Sequence, residues 1–437
     1  MADMSRTPHD MQRQRKLLFL AYYFPPVRVI GAVRAFNLAK YLARMGWQIT
    51  VVTPAPELWK NVDDPEGVTV RLTQEGIKQI LTGHDWRCLN PIHLKCWNTG
   101  LGYILGGISR KTARAYSIEV EGGWYAHVSR ACGSFSPGDF DLILATGSPF
   151  LSFRLARDLS DRLICPFVID YRDLWSGDPH AIHPYSKAGM RNEKEVLSKC
   201  SAVTIVSPSW ADFIHQKFNL EKRPFVVTNG YDPEEMDIVE PLPYDHFAIV
   251  YAGHFYLPDS SATPIMACLE KLKSLLKDGK PSWRFHYYGG QSDHVQHEAK
   301  RFGVEEYVSV YGPVTRTTAL RAVRGANVAV VMISQQKEAP LEYRGIIAAK
   351  IFESIGLRTP VLAIAPKGFD VCSIVDATGG GKCFCAEETG GMATFLTNMM
   401  KGSTPAPKVT SEYSWPHIAS EMNNILLRAM HTEPDIC

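Results

Sequence analysis

Short apolar runs alternate with amphipathic stretches through both halves of the chain, and this rhythm predicts two α/β units. In the first half Leu17–Ala21, Ile49–Thr53, Val68–Leu72, Leu142–Ala145, Phe167–Asp170, Val203–Val206 and Phe225–Val227 read as strands. They are rich in Val, Ile and Leu with little polar alternation, as expected of parallel strands covered by helices on both faces. Between the first two, residues 32–45 set Ala35, Leu38, Ala39 and Leu42 on one helical face, and Gly46 is a stop signal. The second half repeats the alternation with Ala248–Ala252, Phe285–Tyr288, Val308–Tyr311, Val328–Met332 and Val361–Ile364. From Tyr413 onward the pattern predicts a final amphipathic helix.

One arrangement occurs in both halves: an apolar strand, a glycine-bearing turn, then a helix. The copies are residues 16–46 (KLLFLAYYFPPVRVIGAVRAFNLAKYLARMG) and 248–275 (AIVYAGHFYLPDSSATPIMACLEKLKSL). Such a turn sets backbone N–H groups and the positive end of a helix beside whatever binds there, which suits phosphate. Two copies predict two nucleotide-fold domains facing each other across a cleft. The expected boundaries are 16–235 for the first domain, 245–410 for the second, and 411–437 for a helix that packs back on the first. The polar, acidic stretch Asp232–Tyr244 reads as the linker. Residues 74–135 interrupt the rhythm with Trp, Gly, Cys and basic residues and read as an irregular insertion, helical in part. Its Trp86, Trp97, Tyr103, Tyr116, Arg110, Lys111 and Arg114 suit either local packing or contact with an acceptor or a membrane surface.

At 437 residues the chain exceeds the size at which one core keeps growing. A net charge of +2 gives no argument for a nucleic-acid partner. No apolar run reaches the roughly 18 residues of a membrane span. Arg13, Arg15 and Lys16 before LLFLAYYF mimic a secretion signal, but Pro25 and Pro26 follow and no small-x-small cleavage site appears, so the run is read as a core strand behind a loose polar tail. The ten cysteines are scattered with no C-x-x-C pair. They are expected to be reduced thiols of a cytoplasmic protein, at most peripheral at the inner membrane face.

Several segments, in order, resemble retaining glycosyltransferases of family 4. They are YYFPPVRVIGAVRAFNLAKYLARMGWQITVVT (22–53), FDLILATGSPF (140–150), PFVIDYRDLW (166–175), VTIVSPSW (203–210), VVTNGYD (226–232), YAGHFY (251–256), YGPVTRTTALRAVRGANVAVVMI (311–333) and AAKIFESIGLRTPVLAI (348–364). The resemblance implies an α/β GT-B fold of two Rossmann-like domains facing across a cleft, with the C-terminal helix crossing back to the first. It implies transfer of a sugar from a nucleotide donor, UDP-linked by expectation, to a hydroxyl acceptor such as a saccharide, a lipid-linked glycan or a natural-product core. The family often carries two glutamates separated by seven residues. Glu353 matches the second, which the family gives to the donor's ribose hydroxyls; Gly345 stands where the first would be, with Glu342 the nearest acid. The usual Arg and Lys after the first strand of the second domain are also missing, and His254 follows Gly253 instead.

Sugar transfer builds negative charge on a leaving diphosphate, so the site needs fixed donors. Gly31 and Gly253 are candidates through their backbone amides. Lys350 shares a helical face with Glu353 and can reach the diphosphate; His254, Arg344 and, more weakly, Arg358 complete the donor set. Asp170, Arg172 and Asp173 follow a strand at its C-terminal end, where open α/β sheets bind ligands, and one aspartate can accept or orient the acceptor's proton. Thr146, Gly147, Ser148, His180 and His183 are acceptor-side candidates. No cofactor and no required metal are expected. Asp139-Phe-Asp141 is read as a turn leading into its strand, and His294, His297 and Glu298 as a solvated helix surface rather than a zinc site. The alternatives are a nucleotide-sugar epimerase of the same fold and a non-catalytic sugar- or lipid-carrier-binding protein.

Overall fold

Two parallel sheets organise the molecule. The computed structural model describes residues 14–27, 30–55, 75–83, 123–178, 187–276, 282–335, 340–405, 408 and 411–431. These divide into two units. The first runs through Val206 and includes Ile214–Val227 and the chain from Ile418; the second holds Ser207–Phe213 and Thr228–His417.

The first sheet has seven strands: β1 (Arg15–Ala21), β2 (Trp47–Pro54), β3 (Ile77–Thr82), β4 (Leu142–Gly147), β5 (Phe167–Tyr171), β6 (Ala202–Ile205) and β7 (Phe225–Val226), in the order β3-β2-β1-β4-β5-β6-β7. Leu17 through Ala21 are buried without a break, and so is every residue of β4 and β5. Helices on both sides explain the absence of alternation. Each Leu or Phe so covered contributes about 1.5–3 kcal/mol relative to exposure. The helix Ile30–Arg44 follows β1. The C-terminal helix Trp415–His431 enters this unit from Ile418, and its Asn423 side chain accepts a 2.8 Å bond from the Trp47 indole.

The second sheet has six strands: β8 (Phe247–Ala252), β9 (Trp283–Tyr288), β10 (Val308–Val310), β11 (Val328–Met332), β12 (Val361–Ile364) and β13 (Gly381–Phe384), ordered β10-β9-β8-β11-β12-β13. Ile249, Phe285, Val328 and Leu362 anchor the core on one face, and Val331, Ile351, Phe352 and Ala363 that on the other. In each sheet the strand order reverses once, between β1 and β4 and between β8 and β11. Open α/β sheets take ligands at the carboxyl ends of such strands.

Three expectations change. The irregular stretch 74–135 contains β3, paired in parallel with β2, and the helix Gly123–Ala131; its aromatic and basic residues from Trp86 to Tyr116, and the expected strand Val68–Leu72, lie outside the described residues. The cysteines are not all free thiols: Cys372 and Cys383 form a disulfide between the helix Asp370–Thr378 and β13. The helix Ser292–Arg301 is not simply solvated. Glu298 is buried and accepts from the Thr263 hydroxyl at 2.8 Å, and His294 accepts from the Ala262 amide at 3.1 Å, so both tie their helix to the start of the helix Thr263–Leu275. The Asp139 and Asp141 carboxylates do form a turn, bound at 2.8 Å to the amides of Ser136 and Lys16.

Candidate functional site

One strand beyond the first reversal, the carboxyl end of β5 carries Asp170. The residue is fully buried, and its oxygens accept four bonds: 2.9 Å from Arg34 Nε, 2.6 Å from Arg34 Nη2, 2.9 Å from the Thr146 hydroxyl and 2.7 Å from the Thr204 hydroxyl. Burial pushes the Asp170 carboxyl up, but the Arg34 charge and these bonds outweigh it and hold the group below its ordinary value. Arg34 also donates to the Val227 carbonyl at 2.9 Å. One ion pair thus ties β5 to the helix after β1 and to the end of β7.

Arg172 works on the loops themselves. It donates to the Gly147 carbonyl at 2.8 Å and to the carbonyls of Gly31 and Ser148, and it lies 5.6 Å over the Tyr23 ring. Gly31 makes room for it, since a Cβ there would stand 2.8 Å from Arg172 Nη1. Asp170 and Thr146 are therefore committed to each other, Gly31 and Ser148 offer carbonyls to Arg172, and of Asp170, Arg172 and Asp173 the last alone is exposed. His180 and His183 lie outside the described residues.

At the second reversal, β8 ends in Gly253 with φ +134°, a conformation that favours glycine. A Cβ there would fall 2.3 Å from Lys350 Nζ. The amide of Gly253 donates to the Tyr288 carbonyl at 2.8 Å, so the expectation that this amide meets phosphate is replaced: the glycine serves by admitting Lys350. Lys350 opens the helix Ala349–Gly356. Its ammonium lies 4.3 Å over the Tyr251 ring and donates to the Tyr251 hydroxyl at 3.2 Å. Among the described residues it forms no ion pair with a carboxylate. Burial lowers the Lys350 pKa to about 8, with the Glu353 charge opposing.

Glu353, one turn along the same helix, is bound instead by Arg316, which also grips Glu235. The i, i+3 spacing thus does not make a Lys350–Glu353 ion pair. His254 is exposed, and its imidazole packs where a Gly290 Cβ would stand, 3.0 Å from Cε1. Arg344 is exposed at the end of the short helix Leu341–Arg344, and Arg358 lies 3.9 Å from Asp237. Gly345 has a packing reason: a Cβ there would fall 2.3 Å from the Trp210 ring and 2.5 Å from Ser207 Oγ, so a glutamate does not fit. Trp210 donates to the Glu342 carbonyl at 2.6 Å.

Sequence reading missed Arg34, Thr204, Tyr251 and Arg316. Arg34 alone left a signal, a charge one turn before Leu38 at the margin of the apolar helical face. Among the described residues, no group of three or more His, Cys, Asp or Glu side chains is gathered as a metal site, and no helix is long and apolar enough to cross a membrane.

Residues 31–230 match the family model described as a glycosyl transferase 4-like domain. No curated protein matches the sequence. Among solved structures, the sucrose-phosphate synthase of Thermosynechococcus elongatus is similar over 94% of this chain and 98% of its own, with TM-score 0.62 and 15% identity. Anabaena HepE in complex with UDP-glucose covers 94% and 99%, with TM-score 0.58 and 15% identity. AviGT4, a glycosyltransferase involved in avilamycin A biosynthesis, covers 96% and 99%, with TM-score 0.55 and 13% identity. At these identities the likeness is one of fold. The chain has the GT-B fold of these solved structures, and its residues 31–230, beginning in the helix after β1, are a glycosyl transferase 4-like domain.

Proposed function

We propose that the protein moves a sugar, with retention, from a UDP-sugar to a hydroxyl acceptor, and that it needs no metal. The observation that carries this reading is Lys350. A half-buried ammonium with no carboxylate partner among the described residues, held over Tyr251 at the carboxyl end of β8, is a charge suited to an anion. As the bond from the anomeric carbon to the diphosphate breaks, negative charge grows on the leaving oxygen, and a prepositioned ammonium stabilises it more than the ground state. That positive charge is why we assign the leaving group to Lys350 rather than to a metal. Glu353, one turn away, accepts from the ribose hydroxyls as a charged acceptor. HepE, a structural neighbour crystallised with UDP-glucose, supports the choice of base. On the acceptor side, Asp173 is the group to accept or orient the hydroxyl proton; Asp170, saturated by Arg34 and two hydroxyls, holds the loop. Retention follows if the acceptor attacks the face that the phosphate leaves; the proton then goes to the phosphate oxygen, and Asp173 orients the hydroxyl.

Titration calorimetry with UDP and UDP-glucose tests the donor half. Losing a charged hydrogen bond costs about 1.5–3 kcal/mol, so Glu353→Ala is expected to weaken UDP roughly 10- to 100-fold. Unchanged affinity in that variant ends the assignment. A second reading, a sugar-nucleotide-binding protein without transfer, is favoured by Gly345, where Trp210 leaves no space for the glutamate that commonly touches the donor sugar. Product formation above the no-enzyme rate removes it.

A further inference from the structure

Arg316 is an odd residue for its position. It is the first residue of the helix Arg316–Gly325, whose N-cap Thr315 accepts from the Thr318 amide at 3.2 Å. A cation in the first turn of a helix opposes the helix dipole, so its placement calls for a compensating partner. It has two. Nε and Nη2 grip the two oxygens of Glu235 at 3.0 and 3.1 Å, a fork-to-fork pairing, while Nη1 reaches round to Oε1 of Glu353. Glu235 is itself fixed, on the short helix Pro233–Met236 capped by Asp232. The guanidinium plane is thus set by one carboxylate and spends only its remaining nitrogen on the other. Glu353 has a side-chain exposure of 20%, and its Oε2 takes no partner among the described residues.

We infer that Arg316 is a positioning residue for donor recognition: clamped by Glu235, it fixes the Glu353 carboxylate so that its other oxygen faces a ribose diol. The inference rests on the assignment of Glu353 to the ribose made above. It explains how a carboxylate can read a diol from a single short helix. A free glutamate rotates about three torsions, and holding one of its oxygens removes that freedom before the ligand arrives. The clamp also withholds Arg316 from the phosphates, leaving that task to Lys350.

The test uses full-length protein and compares UDP with 2′-deoxy-UDP, because discrimination between them reports the diol contact and a general loss of fold does not. Wild-type protein is expected to prefer UDP by roughly tenfold or more, the scale of one lost hydrogen bond to a charged group. Glu353→Gln is expected to abolish most of that preference. Arg316→Gln is expected to lower UDP affinity about tenfold and cut the preference by a comparable factor, with 2′-deoxy-UDP affinity nearly unchanged. Arg316→Lys keeps the charge without the fork and is expected to recover only part. Glu235→Gln, which leaves both functional groups in place, is expected to move the preference in the same direction by a smaller factor, and it carries the test if Arg316→Gln fails to fold. Should Glu353→Gln keep full discrimination, the ribose assignment itself fails. Should Glu353→Gln lose it while Arg316→Gln and Glu235→Gln keep it, or should Arg316→Lys restore it completely, the clamp is overturned and the assignment stands.

Discussion

The two sheets end in opposite electrostatic conditions. At the end of β5, Asp170 and Arg34 neutralise each other in the interior, and the Thr146 and Thr204 hydroxyls fill the remaining acceptor capacity. Near the end of β8, the ammonium of Lys350 rests on an aromatic face, and among the described residues no carboxylate is bound to it. The second lies at a reversal of strand order, and the first lies one strand beyond one. The first is closed by its own ion pair; at the second the Glu353 charge acts on the ammonium without forming an ion pair with it. Topology marks where a ligand site can form, and the charge balance is the reason we assign the anion to the second end.

Breaking the closed pair gives the largest expected effect. Asp170→Asn removes the countercharge and leaves the Arg34 guanidinium buried against an amide. Removing one partner of a buried pair costs about 3–5 kcal/mol, so the midpoint of urea unfolding is expected to fall steeply with the slope unchanged. A loss below about 1 kcal/mol would mean that water reaches the pair, because only surface pairs are worth so little. The pH dependence has a definite sign. The folded carboxyl titrates below its ordinary value, so its stabilisation is complete above the unfolded pKa near 4 and is lost as pH falls through the lower folded value.

That pair also shows where sequence reading stops. The places of Asp170 and Arg172 could be read directly, since both stand at the end of an unbroken apolar run. The partner of Asp170 could not, because pairing with Arg34 depends on how a helix seats on the sheet 136 residues away in sequence. Glu353 came from the resemblance and Lys350 from its place on the same helical face, whereas the grip of Arg316 on Glu353 joins residues 37 apart and left no trace in either. The departure at Gly345 was visible as a missing acid; its cause, a tryptophan ring in the space, belongs to packing alone. β3 escaped notice because its six residues, IKQILT, mix polar and apolar positions at the sheet edge, and β13 because GKCF is short. The Cys372–Cys383 pair has a separation of 11 that matches no spacing rule.

A middle-sized effect is expected at the open end, and there the two consequences of one substitution should run in opposite directions. Lys350→Met removes the charge kept for the diphosphate, and UDP affinity is expected to drop by roughly tenfold or more, the scale of one charged hydrogen bond. The same change removes a desolvated ammonium, so the ligand-free protein is expected to melt higher. Wild-type affinity for UDP should weaken as pH rises through about 8, where the free enzyme's Lys350 gives up its proton. The stability sign follows from linkage. Between about 8 and the ordinary value of 10.5 the unfolded chain holds a proton on this lysine that the folded chain lacks, so its contribution to stability rises with pH across that window. Calorimetry with UDP at pH 7 and pH 9, together with melting of wild type and variant, checks both parts. A variant that binds UDP normally, or melts lower, would show that Lys350 is a packing residue.

The smallest expected effect sharpens the comparison, because it concerns a second buried carboxylate in the first unit that lacks what Asp170 has. Glu193 is 1% exposed and accepts from the Tyr171 hydroxyl at 3.1 Å, while among the described residues its Oε2 has no well-formed hydrogen bond. Burial pushes its pKa up to about 7, opposed by the nearby Ser176 and Tyr171 hydroxyls and then by the Lys217 charge, and among the described residues no arginine is seated on it. A raised acid has the reverse sign to Asp170. Between about 4.5 and 7 the folded chain keeps a proton that the unfolded chain has released, so this group makes the protein less stable as pH climbs through that interval. Glu193→Gln is neutral at every pH and keeps an oxygen for Tyr171, so its unfolding curve should lack that slope. At pH 4.5 the two proteins should be nearly equal. At pH 8 the variant should lead by up to about 1 kcal/mol, the gain being limited by the amide donors it buries. If wild type and variant run parallel from pH 4.5 to 8, Glu193 is ionised throughout, and the contrast between the two carboxylates dissolves into one of hydrogen-bond count, with arginine having no special part in it.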